Sequence, residues 1–171
     1  MTVPIEVVGY QPNWPADFAV LARRLRGALD SAGVSIHHIG STSVPGFTAK
    51  DIIDIQITVP SLDEPGCVEA VGFVWAPCLA DHSPPGLDLA QAELEKRTAA
   101  SAPGWRPANL HMRVAGRFNQ RYALLFRDFL RARGAAAAGH AEVKQNLARL
   151  FPDDIDSYSE GSGLRRDHGR R

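Results

Sequence analysis

The chain is poor in cysteine: Cys67 and Cys78 are the only two among 171 residues, with no CxxC and no second pair. That is too few for a thiolate zinc site or a disulfide scaffold, so both read as buried or incidental thiols. Net charge is missing too, since 19 Lys and Arg stand against 19 Asp and Glu. Such a balance argues against a protein whose main work is coating nucleic acid and points to a small partner. No apolar run approaches the roughly 18 residues of a membrane span. The opening MTVPIEVVGYQP lacks the basic-then-apolar build of a signal peptide, so a cytoplasmic home without membrane contact is the default expectation. There is no Walker-type phosphate loop, no internal repeat, and AAAAG is the one low-complexity run.

What is present is an ordinary globular composition, 44% hydrophobic and 22% charged, on a length that suits one domain. We expect that domain over residues 1–160 and a flexible, basic tail over 161–171. Pro15 suits a first helical position, and Trp14, Phe18, Leu21, Leu25 and Leu29 recur at helical spacing before Gly33. Val34 to Ile39 and Asp51 to Val59 read as strands. In the second, Ile53, Ile55, Ile57 and Val59 point one way, while Asp54, Gln56 and Thr58 face solvent or a site. A short helix over Gly66 to Gly72 precedes a probable strand in FVWAP.

The proline-rich stretch from Cys78 to Pro107 shows no sustained period; a helix around Leu89 to Lys96 and much loop are expected there. ANLHMRVAG alternates again, with Leu110, Met112 and Val114 opposite Asn109, His111 and Arg113. From Asn119 a helix carries Tyr122, Leu125, Phe126, Phe129 and Leu130 as a core-facing stripe, stopping at Gly134. A further helix spans about Ala141 to Leu150, with Val143, Leu147 and Leu150 as its apolar positions.

The chemistry-bearing residues cluster early. In GSTSVPG, Gly40 permits unusual backbone angles, and the amides with the Ser41, Thr42 and Ser43 hydroxyls could surround a phosphate oxygen. The bland alternative is a hydroxyl-rich connection between two strands. Asp54 and Gln56, two apart on a strand, share a face at the spacing by which paired carboxylates hold a divalent cation. Gln56 offers a neutral oxygen without charge, so magnesium would be held more weakly; the bland alternative for Asp54 is a solvated strand face or a salt bridge to Lys50 or an arginine. His111 shares its face with Asn109 and Arg113, a ligand-facing pattern or a satisfied structural histidine. His37 and His38 point to opposite faces, and His38 has the parity of Gly40. Arg127, beside Asp128 in the apolar helix, is a candidate for work beyond solvation.

HIGSTSVPG, Lys50, IIDI, NLHMRV, LLFRDFLRA and the later Lys144, in this order across nearly the whole chain, resemble the GrpB family. RPANLHMRV with RYALLFRDFLRA looks especially like the GrpB domain attached to the kinase domain of some bacterial dephospho-CoA kinases. The resemblance implies an α+β fold of nucleotidyltransferase type: a small mixed β-sheet with helices packed on it, a Gly-Ser turn after the first strand, and acids on the next. Carried onto this sequence, it gives Gly40 and Ser41 to the phosphate loop and Asp54 to the first acid; Thr42, Ser43, Lys50, Asn109 and Arg127, taken on their own chemistry, complete the expected nucleotide site. Asp54 and His111 take catalytic roles, and Asp54 with Gln56 takes the metal, Mg2+ accompanying ATP or another nucleoside triphosphate. The second acid of the pattern falls on Gln56 and the third on the strand of His111, which weakens the case for metal-dependent nucleotidyl transfer. The expected function is therefore nucleotide binding with use of ATP on a small acceptor. The alternative is a non-catalytic module that holds a nucleotide or CoA-type ligand and assists a partner enzyme.

Overall fold

The computed structural model describes residues 6–29, 33–63, 67–77, 80–152 and 154; Cys78 and the tail 161–171 lie outside them. The architecture is α+β: three helices, α1 (Trp14–Ala28), α2 (Phe118–Ala132) and α3 (Gly134–Leu150), and a five-stranded sheet. Its strands are β1 (Ser35–Ile39), β2 (Ile53–Val59), β3 (Phe73–Ala76), β4 (Arg97–Ser101) and β5 (Ala108–Val114), in the order β1-β2-β5-β4-β3. The sheet is mixed, because β2 and β5 run parallel while every other neighbouring pair is antiparallel.

Alternation in β2 and β5 sends Ile53, Ile55, Ile57, Leu110 and Met112 to one face, where they pack with Trp14, Leu21 and Leu25 of α1 and with Leu29 just after it. Full burial of each such side chain contributes about 1.5–3 kcal/mol, so this face is the main source of stability. Trp14 also donates its Nε1–H to Asp51 Oδ1 at 2.7 Å. Arg106 bonds the same carboxylate and Asp17 of α1, tying the helix start to the entries of β2 and β5.

The opposite face carries Asp54, Gln56, Thr58, Asn109, His111 and Arg113, brought side by side by the parallel register Asp54↔Asn109, Gln56↔His111 and Thr58↔Arg113. The sequence leaves this face to solvent or a site; instead Gln56 and Thr58 are buried. The reason is position: β2 lies between β1 and β5, with the start of α2 and the segment around Asp81 laid over its polar side.

Three expectations need correction. No α-helix forms over residues 89–96, where only a single 3-10 turn, Gln91–Glu93, precedes the unforeseen strand β4. The stripe of α2 does not face the core: Tyr122 is 48% exposed, Leu125 67% and Phe129 51%, and of that set only Leu130 is buried. Phe118, Tyr122 and Phe126 stack on one another along the helix instead. In α3, which starts at Gly134, Val143 and Leu150 are exposed and the buried residue is Lys144.

Candidate functional site

The turn after β1 starts where Ile39 pairs with Asp54, so Gly40 lies directly against that side chain. Its backbone, φ 70 and ψ −172, falls in a region that is essentially glycine-only. The chain then winds through one 3-10 turn, Ser41–Ser43. The three hydroxyls part company here. Thr42 Oγ1 is 3.0 Å from His38 Nε2 in the interior, and Ser43 Oγ–H donates to the Gly40 carbonyl at 2.6 Å. Only Ser41, partly exposed, turns to the site, where Lys144 Nζ donates to its Oγ at 2.7 Å.

Lys144 is 7% exposed, and burial brings its ammonium down to about 8 against the favourable field of Asp54, with Lys50 adding to the fall. It is still mainly charged at neutral pH. Asp54 Oδ1 accepts from Asn109 Nδ2 at 3.1 Å and lies 3.9 Å from His111 Nε2, beyond a hydrogen bond. Burial alone would raise the Asp54 carboxyl, but His111, Asn109 and Lys144 outweigh it and hold the group below the ordinary carboxylate range. Burial, reinforced by Arg113 and Lys96 and opposed by Asp54, keeps the His111 imidazole neutral. Its Nδ1 is buried without a hydrogen-bond partner among the described residues.

The structure therefore gathers Gly40, Ser41, Asp54, Asn109 and His111, with Lys50 near enough to act on Lys144. Thr42, Ser43, Gln56 and Arg127 are engaged elsewhere. Arg127 donates Nη1–H to the His38 carbonyl at 3.0 Å and pairs with Asp128, and its helix neighbour Arg131 donates twice to the Ser43 carbonyl. Gln56, fully buried, gives its oxygen to Arg113 Nη1 at 2.7 Å and its Nε2–H to the Gln120 carbonyl at 3.1 Å. Where a second carboxylate would help hold magnesium stands an amide capped by a guanidinium, and this donor set does not suit a divalent ion between paired acids. Among the described residues no group of three or more His, Cys, Asp or Glu could hold a metal. Lys144, one of the dispersed basic residues of the sequence that could converge on a polyphosphate and part of its GrpB-like pattern, is the cation that the structure buries against Ser41.

His38 supports the turn from below. It is buried, stacks on Phe18 with centroids 4.7 Å apart, and burial with Arg131 and Arg127 nearby holds it down at about 4 against Asp54. The folded state thus refuses a proton that the unfolded chain accepts below about 6.5. Stability is complete above that value and falls as pH drops through the window from about 6.5 to about 4. Urea unfolding at pH 4.5 rather than 7 is expected to lose roughly 2–3 kcal/mol through this residue. His38→Gln should flatten the profile, and an equally steep variant would remove His38 as the cause.

A profile described as GrpB protein matches residues 4–163. The chain belongs to the GrpB family. The conserved protein GrpB from Enterococcus faecalis, a crystal structure, superposes with a TM-score of 0.73 at 28% identity, covering 93% of this chain and 92% of that one. The UPF0157 protein PA4798 of Pseudomonas aeruginosa is 33% identical over 92% of this chain and 62% of its own length. A dephospho-CoA kinase of Mycolicibacterium paratuberculosis is 38% identical over 91% of this chain but only 42% of its own length. This GrpB chain thus spans about two fifths of the kinases it matches, as the resemblance of RPANLHMRV and RYALLFRDFLRA to a kinase-attached domain implies. The Cid1 poly(U) polymerase is a looser structural likeness, with a TM-score of 0.46 and 12% identity over 80% of this chain and 45% of the other, too distant to bear on activity. Among the described residues no helix is long and apolar enough to cross a membrane.

Proposed function

We propose that this domain binds the phosphate group of a nucleotide or CoA-type ligand at the Gly40 turn and works as a binding module beside a partner enzyme. The observation that carries the reading is Lys144. A lysine from α3 is buried against the hydroxyl of Ser41, next to a carboxylate, on the turn that the sequence already marks for anions. Burying an ammonium is costly unless it is paired or has a function, and among the described residues one neutral hydroxyl is its only hydrogen-bond partner. A phosphate oxygen replacing or joining that hydroxyl would gain a charge-assisted bond. The Asn109 amide and the His111 ring, on either side of Asp54 Oδ1, line the side where the rest of the ligand would lie. Relatives in which a similar domain is part of a dephospho-CoA kinase support a role next to such an enzyme.

The test is a thermal-shift series with nucleotides and CoA-type phosphates on the intact chain. Ligand at about 100 times Kd adds about 2.7 kcal/mol, a rise of several degrees in Tm for a domain of this size. Absence of any rise across the series would defeat the reading.

A transferase reading has one observation in its favour: a neutral His111 beside an ionised Asp54 is the arrangement needed to take a proton from an acceptor hydroxyl or amine. ATP consumption that depends on an added acceptor and disappears in His111→Gln would support it, and no consumption across an acceptor panel would remove it.

A further inference from the structure

We infer that this site takes its phosphate-bearing ligand as a metal-free anion, with protein cations in the place of a divalent ion. The inference rests on the binding reading above and concerns how the charge of that ligand is met. A site that recruits magnesium to a nucleotide needs anionic oxygen on the protein, because the ion holds to one or two carboxylates while it bridges the phosphates. The polar face of this sheet supplies one carboxylate, Asp54. One of its oxygens accepts from Asn109, and the other lies against Gly40.

The neighbouring positions carry the opposite sign. Two residues along β2, the fully buried Gln56 is capped by Arg113, whose guanidinium also grips both oxygens of Asp81 at 2.9 and 3.2 Å. Lys96 adds a second cation to the same Asp81. The adjacent strand offers Asn109, His111 and Arg113, none of them acidic. Against the Gly40 turn stands the buried Lys144, bonded to Ser41, with Lys50 close enough to act on it. A divalent ion drawn to Asp54 would meet the Lys144 ammonium on one side and the Gln56–Arg113 pair on the other, a repulsive surrounding at low effective dielectric. A phosphate dianion meets an ammonium, a hydroxyl and the nearby Lys50, two cations set against the single Asp54 carboxylate. The ligand class is therefore the free polyphosphate or phosphomonoester end of a nucleotide or CoA-type molecule. Magnesium, by neutralising those oxygens in solution, competes with the site and does not assist it.

Isothermal titration of the intact chain with ATP and with inorganic pyrophosphate, in excess EDTA and in excess Mg2+, tests this directly. Binding in EDTA is expected to be at least as tight as in magnesium and to weaken with added salt. Lys144→Met should reduce the EDTA affinity about tenfold or more, the size of a lost charge-assisted hydrogen bond. Lys144→Gln serves as a second variant, with circular dichroism to confirm that each is folded. Binding seen only with magnesium, or EDTA affinity unchanged in both folded variants, would overturn the inference while leaving ligand binding itself intact. No binding under either condition would remove both the inference and the reading it rests on.

Discussion

Gly40→Ala is expected to cost roughly 2–6 kcal/mol in urea unfolding, and to take the phosphate site with it. Two effects add. The backbone at φ 70 and ψ −172 is nearly closed to any residue with a Cβ, which accounts for roughly 1–3 kcal/mol. A methyl group built there would also lie 2.9 Å from Asp54 Cβ and closer still to Asp54 Oδ2, so β1 and β2 would have to part at the point where Ile39 pairs with Asp54. Overpacking of that kind adds roughly 1–3 kcal/mol. Gly46, in the same turn with φ 75 and nothing within 4 Å of a Cβ, separates the two effects. Gly46→Ala should show only the conformational cost, about 1–2 kcal/mol. Equal losses at the two glycines would mean that the Asp54 contact contributes nothing. A Gly40→Ala protein that stays folded should still lose ligand binding, because Ser41 and its bond from Lys144 follow directly from the Gly40 turn.

The strands that build the site can be read from the sequence because they obey a local rule. IIDIQITV and ANLHMRV alternate strictly, so the placing of Asp54, Gln56, Asn109 and His111 on one face follows from period-two geometry, and so does the parity of His38 with Gly40. The rest depends on what lies across the gap. Residues 97–101, RTAAS, hold one β-branched side chain, Thr98, and no aromatic, too weak a signal to announce a strand, and β4 exists because β3 and β5 offer it ladders on both sides. Helical spacing correctly puts Tyr122, Leu125 and Phe129 near one another, but it says nothing of which face the sheet will meet. Here α2 docks through Asn119, Arg127 and Leu130.

Lys144 does not stand out in the sequence from the other dispersed cations for a related reason. A lysine in a helix reads as solvated, and only a tertiary partner 103 positions away, Ser41, turns it inward. Gln56 shows the same limit from the other side. Its type marks the missing carboxylate, but that its oxygen is held by Arg113, 57 positions on, appears only once β2 and β5 lie in register.

Arg113→Met should then be the second costly change, at roughly 3–5 kcal/mol, because it breaks a buried ionic network from one side only. The guanidinium serves three oxygens, one on Gln56 and two on Asp81. Its loss leaves the Gln56 oxygen, fully buried, without that donor, and leaves Asp81 to Lys96 alone. Arg113→Lys keeps the charge but not the fork, so an intermediate loss is expected. Burial alone would raise the Asp81 carboxyl, but Arg113 and Lys96 hold it far below the usual range. Its contribution is therefore present above about pH 4 and lost only as pH falls toward the depressed value. In Arg113→Met that contribution shrinks, and acid unfolding should begin at higher pH than in the parent. Hydrogen exchange locates the damage, because Asp81 and Lys96 bracket the segment pinned over the polar face. Faster exchange over residues 80–96 with ligand affinity retained would identify that segment as a cover for Gln56. Faster exchange with affinity lost would make it a wall of the phosphate site. Unchanged stability and exchange would show that the Arg113 network holds nothing in place.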